Sequence, residues 1–411
     1  MTWSTRLDHY VKIGENKIHW FQLSLSIAII AICSLIAGNV LDKSLKKDFK
    51  AIELIGLKRQ ERVQARASGR TPSDEAESTG LTSNKAKKAD TEDVLWKKLQ
   101  GDVFRAPDFP HIFSTFVGIG VQVLVIIYIA TFFFLAGFIN WYTRTFLFYQ
   151  GFIALSLASW PAGVTAARLM KFFGATEWML TAIAVSFWYP TFLFSMFLLV
   201  DMIEWTEKSA QTVPFTSVVA YMILWMCAAI PLAFHGAYTG FLMKRFKTPT
   251  KVNSIRRENK PLPTYLRLAF AMPVFGVIIF GSIFAEFQYV LSSVWRSQVY
   301  AMFGYLFLSM NLLVAIVALI SVIVTYLSLS AGHSQWWWRS FMIGASGAIY
   351  MSIYSVYYMI FSLQMDLLAG EIIYLVYMLL VSISFALMCG SISVVSSYVF
   401  VTRIYSNIKG E

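Results

Sequence analysis

The sequence predicts an all-α polytopic membrane protein with nine transmembrane helices, its N-terminus lumenal and its C-terminus cytosolic. Three observations carry that expectation. Of the 411 residues, 57% are hydrophobic and 14% are charged, against about half and about a quarter in soluble globular domains. The charges are also unevenly placed, because residues 42–110 hold 15 Lys and Arg and 12 Asp and Glu. The remainder divides into apolar stretches of the roughly 20 residues needed to cross about 30 Å of hydrocarbon. No soluble fold covers its surface with so few charges.

Residues 1–17 form a short polar segment, read as lumenal, and the first span follows at 18–41. That stretch is too long for a signal-peptide core and shows no small-residue cleavage site, so it is expected to insert with the N-terminus outside. A chain lacking an upstream ectodomain is the other reading. In the cytosolic loop 42–110, Asp42–Arg66 mixes charges with scattered apolar residues and can continue helically from the first span. Residues 67–93 are rich in Ser, Thr, Gly, Asp, Glu and Lys and have no aromatic residue. Such a stretch buries too little apolar area to offset its ordering entropy, which predicts disorder. An eight-helix core over 111–401 is expected next, with spans near 112–139, 145–167, 178–200, 214–242, 268–290, 300–328, 340–363 and 372–401. Asn140–Arg144 and His333–Arg339 mark two of the breaks, and residues 402–411 are left as a tail.

Orientation follows from the Lys and Arg count on each side. With the N-terminus outside, 28 of the 34 cationic residues face the cytosol. Without the long loop the ratio is still 13 to 6. The net charge of +11 is therefore read through topology. No basic patch interleaved with aromatics marks a soluble domain, which argues against nucleic acid. Cys33, Cys227 and Cys389 lie in apolar stretches, far apart, with no CxxC or Cys/His spacing. They read as packing residues rather than disulfide or metal partners.

Among polar residues, Glu286 is the one carboxylate well inside an apolar stretch (FGSIFAEFQYVL). It reads either as an ion- or proton-binding site or as a residue solvated or hydrogen-bonded near the end of its span. His235 follows Pro231 in AAIPLAFHGAYTGF. With no second ligand at i±3 or i±4, it reads as a helix-packing hydrogen bond more readily than as a metal ligand. Gly344 and Gly347, with Ser346 and Ala348, form a small-residue face suited to helix packing or to capture of another helix. Trp336, Trp337, Trp338 and Arg339 read as an interfacial anchor, three indoles at headgroup level with a cation beyond them. No GxSxG, phosphate-cradling glycine loop or paired carboxylate is present. Neither an enzyme active site nor a cofactor site is expected.

Several blocks together resemble the nonaspanins, the nine-transmembrane superfamily of Golgi and endosomal membranes. They are KIHWFQL at 17–23, WKKLQGDVFRAP at 96–107, TAARLMKFFGATEW at 165–178, VPFTSVVAYMILW at 213–225 and PLAFHGAYTG at 231–240. FAEFQYVLSSVW at 284–295, YAMFGYLFL at 300–308, WWWRSF at 336–341 and FVTRIYSNIKGE at 400–411 complete the set. Trp96, Gly101, Asp102, Val103, Phe104, Arg105 and Pro107 match the family's signature ahead of the second span. The family also carries a large lumenal N-terminal domain behind a cleaved signal peptide, which this chain does not show. AGHS at 331–334 lacks the acidic residues usual before WWWR.

The resemblance implies a part in sorting and exporting other transmembrane proteins, with membrane lipids, transmembrane cargo and the coatomer coat as partners. It also implies that the terminal Lys409-Gly410-Glu411 resembles the K-x-D/E tail that binds coatomer for Golgi retention. In an extended tail, residues i and i+2 point to one face, so Lys409 and Glu411 can be read together. The rival class is a small-solute or ion transporter working through Glu286.

Overall fold

The computed structural model describes residues 99–135, 144–175, 177–207, 215–246, 248–253, 261–295, 302–363 and 367–406, with single positions at 213, 255 and between 28 and 46. The expected lumenal segment 1–17, most of the first span 18–41, the 67–93 stretch, Trp96, Lys409 and Glu411 lie outside them.

The described chain is helical. Helix α1 is Pro110–Leu135, α2 Arg144–Phe172 and α3 Met179–Thr206. Helix α4 (Phe215–Leu224) passes through a π turn, Trp225–Ala229, into α5 (Ile230–Leu242). Pro231 explains the widening: it has no N–H to give the carbonyl four residues back. The Ile230 N–H instead reaches back five residues to the Trp225 carbonyl. Then come α6 (Leu268–Trp295), α7 (Met302–Ser330), α8 (Trp337–Ala345), α9 (Gly347–Tyr358) and α10 (Leu368–Ser406).

Among the described residues, seven helices are long and apolar enough to cross a membrane. They coincide with seven of the expected spans to within a few residues at most ends. The chain is an all-α, multi-pass membrane protein. The expected eighth span differs. It starts at Trp337 rather than 340 and tightens at Ser346, whose backbone stays helical (φ −63°, ψ −24°), so that α8 and α9 are two short helices joined without a loop. The Ser346 and Ile349 amides bond only three residues back, and the Ser346 hydroxyl takes the Ile343 carbonyl at 2.6 Å. Gly276 of α6 lies so close that an added Cβ would sit 2.9 Å from the Ser346 carbonyl oxygen. Helix α10 also runs past the expected boundary at 401. Its Val401, Ile404 and Tyr405 are buried, so the first residues of the expected tail belong to the folded bundle.

In hydrocarbon, helices associate through close packing and interhelical hydrogen bonds rather than through the hydrophobic effect. Both devices are present. Helices α2 and α5 meet backbone to backbone: a methyl group at Gly163 would fall on the Ala233 carbonyl, and one at Gly236 on the Trp160 carbonyl. Between α7, α8 and α10, buried hydroxyls link Thr325 to Ser397 (2.8 Å) and Ser340 to Ser393 and Ser397 (2.9 and 2.8 Å). Helix α10 packs against α1, α3, α7, α8 and α9 and is the axis of the bundle. Gly174 (φ 93°) and Gly332 (φ 85°) close α2 and α7 in the left-handed conformation that lacks a Cβ penalty.

Candidate functional site

The starts of α1, α6 and α8 and the ends of α2, α5, α7 and α10 gather at one end of the bundle. There the segment 99–108 makes a short series of turns, with the Asp102 and Val103 amides bonding the Leu99 carbonyl at 2.9 and 3.1 Å. Its carbonyls receive three indoles in order, from the residue that caps α8 and the first two residues of that helix. Trp336 donates to Val103 (3.0 Å), Trp337 to Arg105 (2.9 Å) and Trp338 to Asp108 (2.7 Å). A buried indole needs a partner for its N–H, and this segment supplies one to each. Trp336 and Trp337 stack at 3.9 Å and are buried. The reading of these tryptophans as headgroup-level anchors is therefore corrected: they form a clamp within the protein.

The clamp is braced from a third side. Arg105 bonds the buried Asp102 carboxylate through Nη2 (2.8 Å) and the Asn253 carbonyl with the same nitrogen (2.8 Å). Asn253 donates its amide to Gly101 at 2.8 Å, and the Thr250 hydroxyl donates to Gln100 at 2.8 Å. Gly101 lies close against the Asn253 side chain, which would have to turn aside for a Cβ at this position. Helix ends are cross-capped beside it. Lys171 of α2 donates to the last carbonyls of α5, Phe241 (2.6 Å) and Met243 (2.8 Å). Arg245, just past α5, donates to Phe172 of α2 (2.7 Å). Cations at helix C-termini also meet the negative end of the macrodipole. Arg168 lies over the Phe246 ring at 4.1 Å.

Between the clamp and the start of α6 is a pocket of about 360 Å³, lined by residues 102 and 105–108, by Leu262, Arg267 and Leu268, and by residues 333–335 and 337–339. A second, smaller cleft of about 140 Å³ lies at membrane depth between α2, α3 and α4, lined by Phe152, Pro190, Phe194, Tyr221, Met222 and Trp225 among others. Met222, Ile223 and Met226 beside it are exposed.

The Endomembrane protein 70 family matches residues 1–368, which take in α1 to α9 and stop at the start of α10. The chain belongs to this family. Transmembrane 9 superfamily member 8 of Arabidopsis thaliana is 30% identical over 99% of the chain and 58% of its own length. Transmembrane 9 superfamily member 2 of Homo sapiens is 30% identical over 99% of the chain and 57% of its own length. Human Transmembrane 9 superfamily member 4 is 27% identical, with 99% and 59% covered. The chain thus spans somewhat more than half the length of these relatives. No solved structure matches it.

In this family member the two signature blocks, 101–107 and 336–339, come together as the two halves of the clamp. The other candidates lie elsewhere. Glu286 is half-buried on α6, about 27 Å along that helix from its start at a rise of 1.5 Å per residue. His235 is exposed, because Ala233, Gly236, Ala237 and Gly240 take the buried face of α5. The reading of His235 as a packing hydrogen bond is corrected accordingly. Gly344 and Gly347 are buried, with added Cβ atoms meeting Cys389 and Ser393 of α10 and Ile279 of α6. Their face is filled by this chain's own helices and is not open to another. Cys389 is buried as expected, whereas Cys227 is exposed. Sequence reasoning missed Asn253, Thr250, Lys171 and Arg245. The basic residues in the last turn of α2 and just beyond α5 were the only available signal.

Proposed function

We propose that the chain acts at Golgi and endosomal membranes in the sorting and export of other transmembrane proteins. Membership of the Endomembrane protein 70 family, matched over residues 1–368, carries this reading. The cleft between α2, α3 and α4 supplies a physical route. It is apolar and aromatic, and Phe152 and Tyr221 stack at 4.5 Å on its wall. The Trp225 indole nitrogen is buried without a hydrogen-bond partner among the described residues. A small-residue helix can lay its backbone close against the aromatic side chains of such a cleft. Lys409 and Glu411 hold the protein in the Golgi by binding coatomer.

The test is delivery of two reporters in cells lacking the protein, one with a glycine-rich transmembrane helix and one with a polyleucine helix. Restoring the wild-type chain raises surface delivery of the first alone, and Trp225→Ala restores less of it. Lys409→Ser or Glu411→Ala shifts the protein to later compartments. Equal delivery of both reporters with and without the protein contradicts the proposal.

A further inference from the structure

The pocket beside the clamp contains a cation in an unusual state. Arg339 is 6% exposed, and its Nε and Nη2 nitrogens have no hydrogen-bond partner among the described residues. A guanidinium taken from water is strongly disfavoured unless an anion or several acceptors meet it. Asp102, on the same pocket wall, is already engaged by Arg105. A second cation, Arg267, lines the pocket from the exposed side. Asp108 is the other lining carboxylate, so the lining as a whole carries a net positive charge. Two helices begin at this pocket, α6 at Leu268 and α8 at Trp337. Helix N-termini present unpaired N–H groups and the positive end of the macrodipole, which favours anions. From the pocket, α6 runs on with Phe270, Val274 and Val277 exposed, an apolar track at the spacing of one helix face.

We propose that this pocket binds the phosphate of an anionic lipid headgroup. Arg339 and Arg267 donate to the phosphate oxygens, and the acyl chains lie along the exposed face of α6. A guanidinium fork matches two oxygens of one phosphate, which a single ammonium does not. The volume suits a phosphorylated polar headgroup, since small-molecule sites span roughly 300–1,000 Å³. The inference is independent of cargo sorting, because it concerns the pocket beside the clamp and shares no residue with the cleft between α2, α3 and α4.

The full chain in nanodiscs tests it, with phosphatidylcholine alone or with added phosphatidylinositol phosphate, and with retained lipid counted by native mass spectrometry. Wild type retains the phosphorylated lipid in preference to phosphatidylcholine. Arg339→Gln lowers that retention about tenfold and Arg267→Gln severalfold, the loss expected for charge-assisted hydrogen bonds. Arg267 is exposed, so its variant folds even where Arg339→Gln does not. Wild-type retention no better than phosphatidylcholine overturns the proposal, as does unchanged retention in the folded variants. Free inositol phosphate that binds as tightly as the lipid overturns the lipid source and assigns the pocket to soluble phosphate.

Discussion

Trp336 shows most plainly what a single residue contributes. It is fully buried, stacks on Trp337 and donates its indole N–H to the Val103 carbonyl. Trp336→Ala removes that packing and leaves a buried carbonyl without its donor, a loss of about 3–5 kcal/mol. The expected outcome is a clear drop in the thermal midpoint of the detergent-solubilised protein. Trp338→Ala, at a half-buried position, lowers it less. The string WWWR was legible as a signature, but its environment was not. Three indoles before an apolar helix have the same pattern whether they face lipid headgroups or a protein segment more than 200 residues away. Only the carbonyls of 103, 105 and 108 separate the two cases, and backbone acceptors leave no mark in a sequence. Burial of Gly344 and Gly347 was hidden for a related reason. A small-residue face predicts close approach but not the partner, which here is α10 and α6 of the same chain.

Helix positions were the most legible feature. Long runs without charged residues define spans regardless of packing detail, and seven of the described helices match them. The tight turn at Ser346 was not read from the sequence, because the Gly344 and Gly347 pair around it signals close packing as readily as a change of helix geometry, whereas Pro231 marks the π turn before α5 directly. It accompanies the approach of α6 through Gly276, a tertiary cause. Helix packing yields a paired prediction. Gly236→Ala drives a methyl group onto the Trp160 carbonyl and forces α2 and α5 apart, with a destabilisation of about 1–3 kcal/mol. Gly281→Ala in α6 meets open space and is neutral or stabilising by up to about 1 kcal/mol, because alanine loses less backbone freedom in a helix. Thermal unfolding of the two variants side by side separates these outcomes. Equal midpoints would refute backbone contact between α2 and α5.

At the scale of the whole molecule, the bundle has two distinct regions. One end is a closed, hydrogen-bonded assembly in which the family signatures lock the starts of α1 and α8 together. At membrane depth the outer faces of α3, α4, α5 and α6 remain largely exposed. The closed end accounts for the signature residues structurally. Under the proposed function another membrane protein docks on these exposed helices, where α2, α3 and α4 contribute the aromatic cleft. Family membership was legible because the signature blocks occur in order along the chain, whereas the cleft was not. Phe152, Pro190, Tyr221 and Trp225 come from three separate spans, and each alone is an ordinary membrane residue. Capture of a defined cargo helix at this cleft tests the account most directly. A photo-crosslinking amino acid in place of Met222 is expected to trap the glycine-rich reporter in intact cell membranes and to leave the polyleucine reporter unlabelled. Equal labelling of both reporters, or of neither while the variant still supports delivery, would contradict recognition at this site.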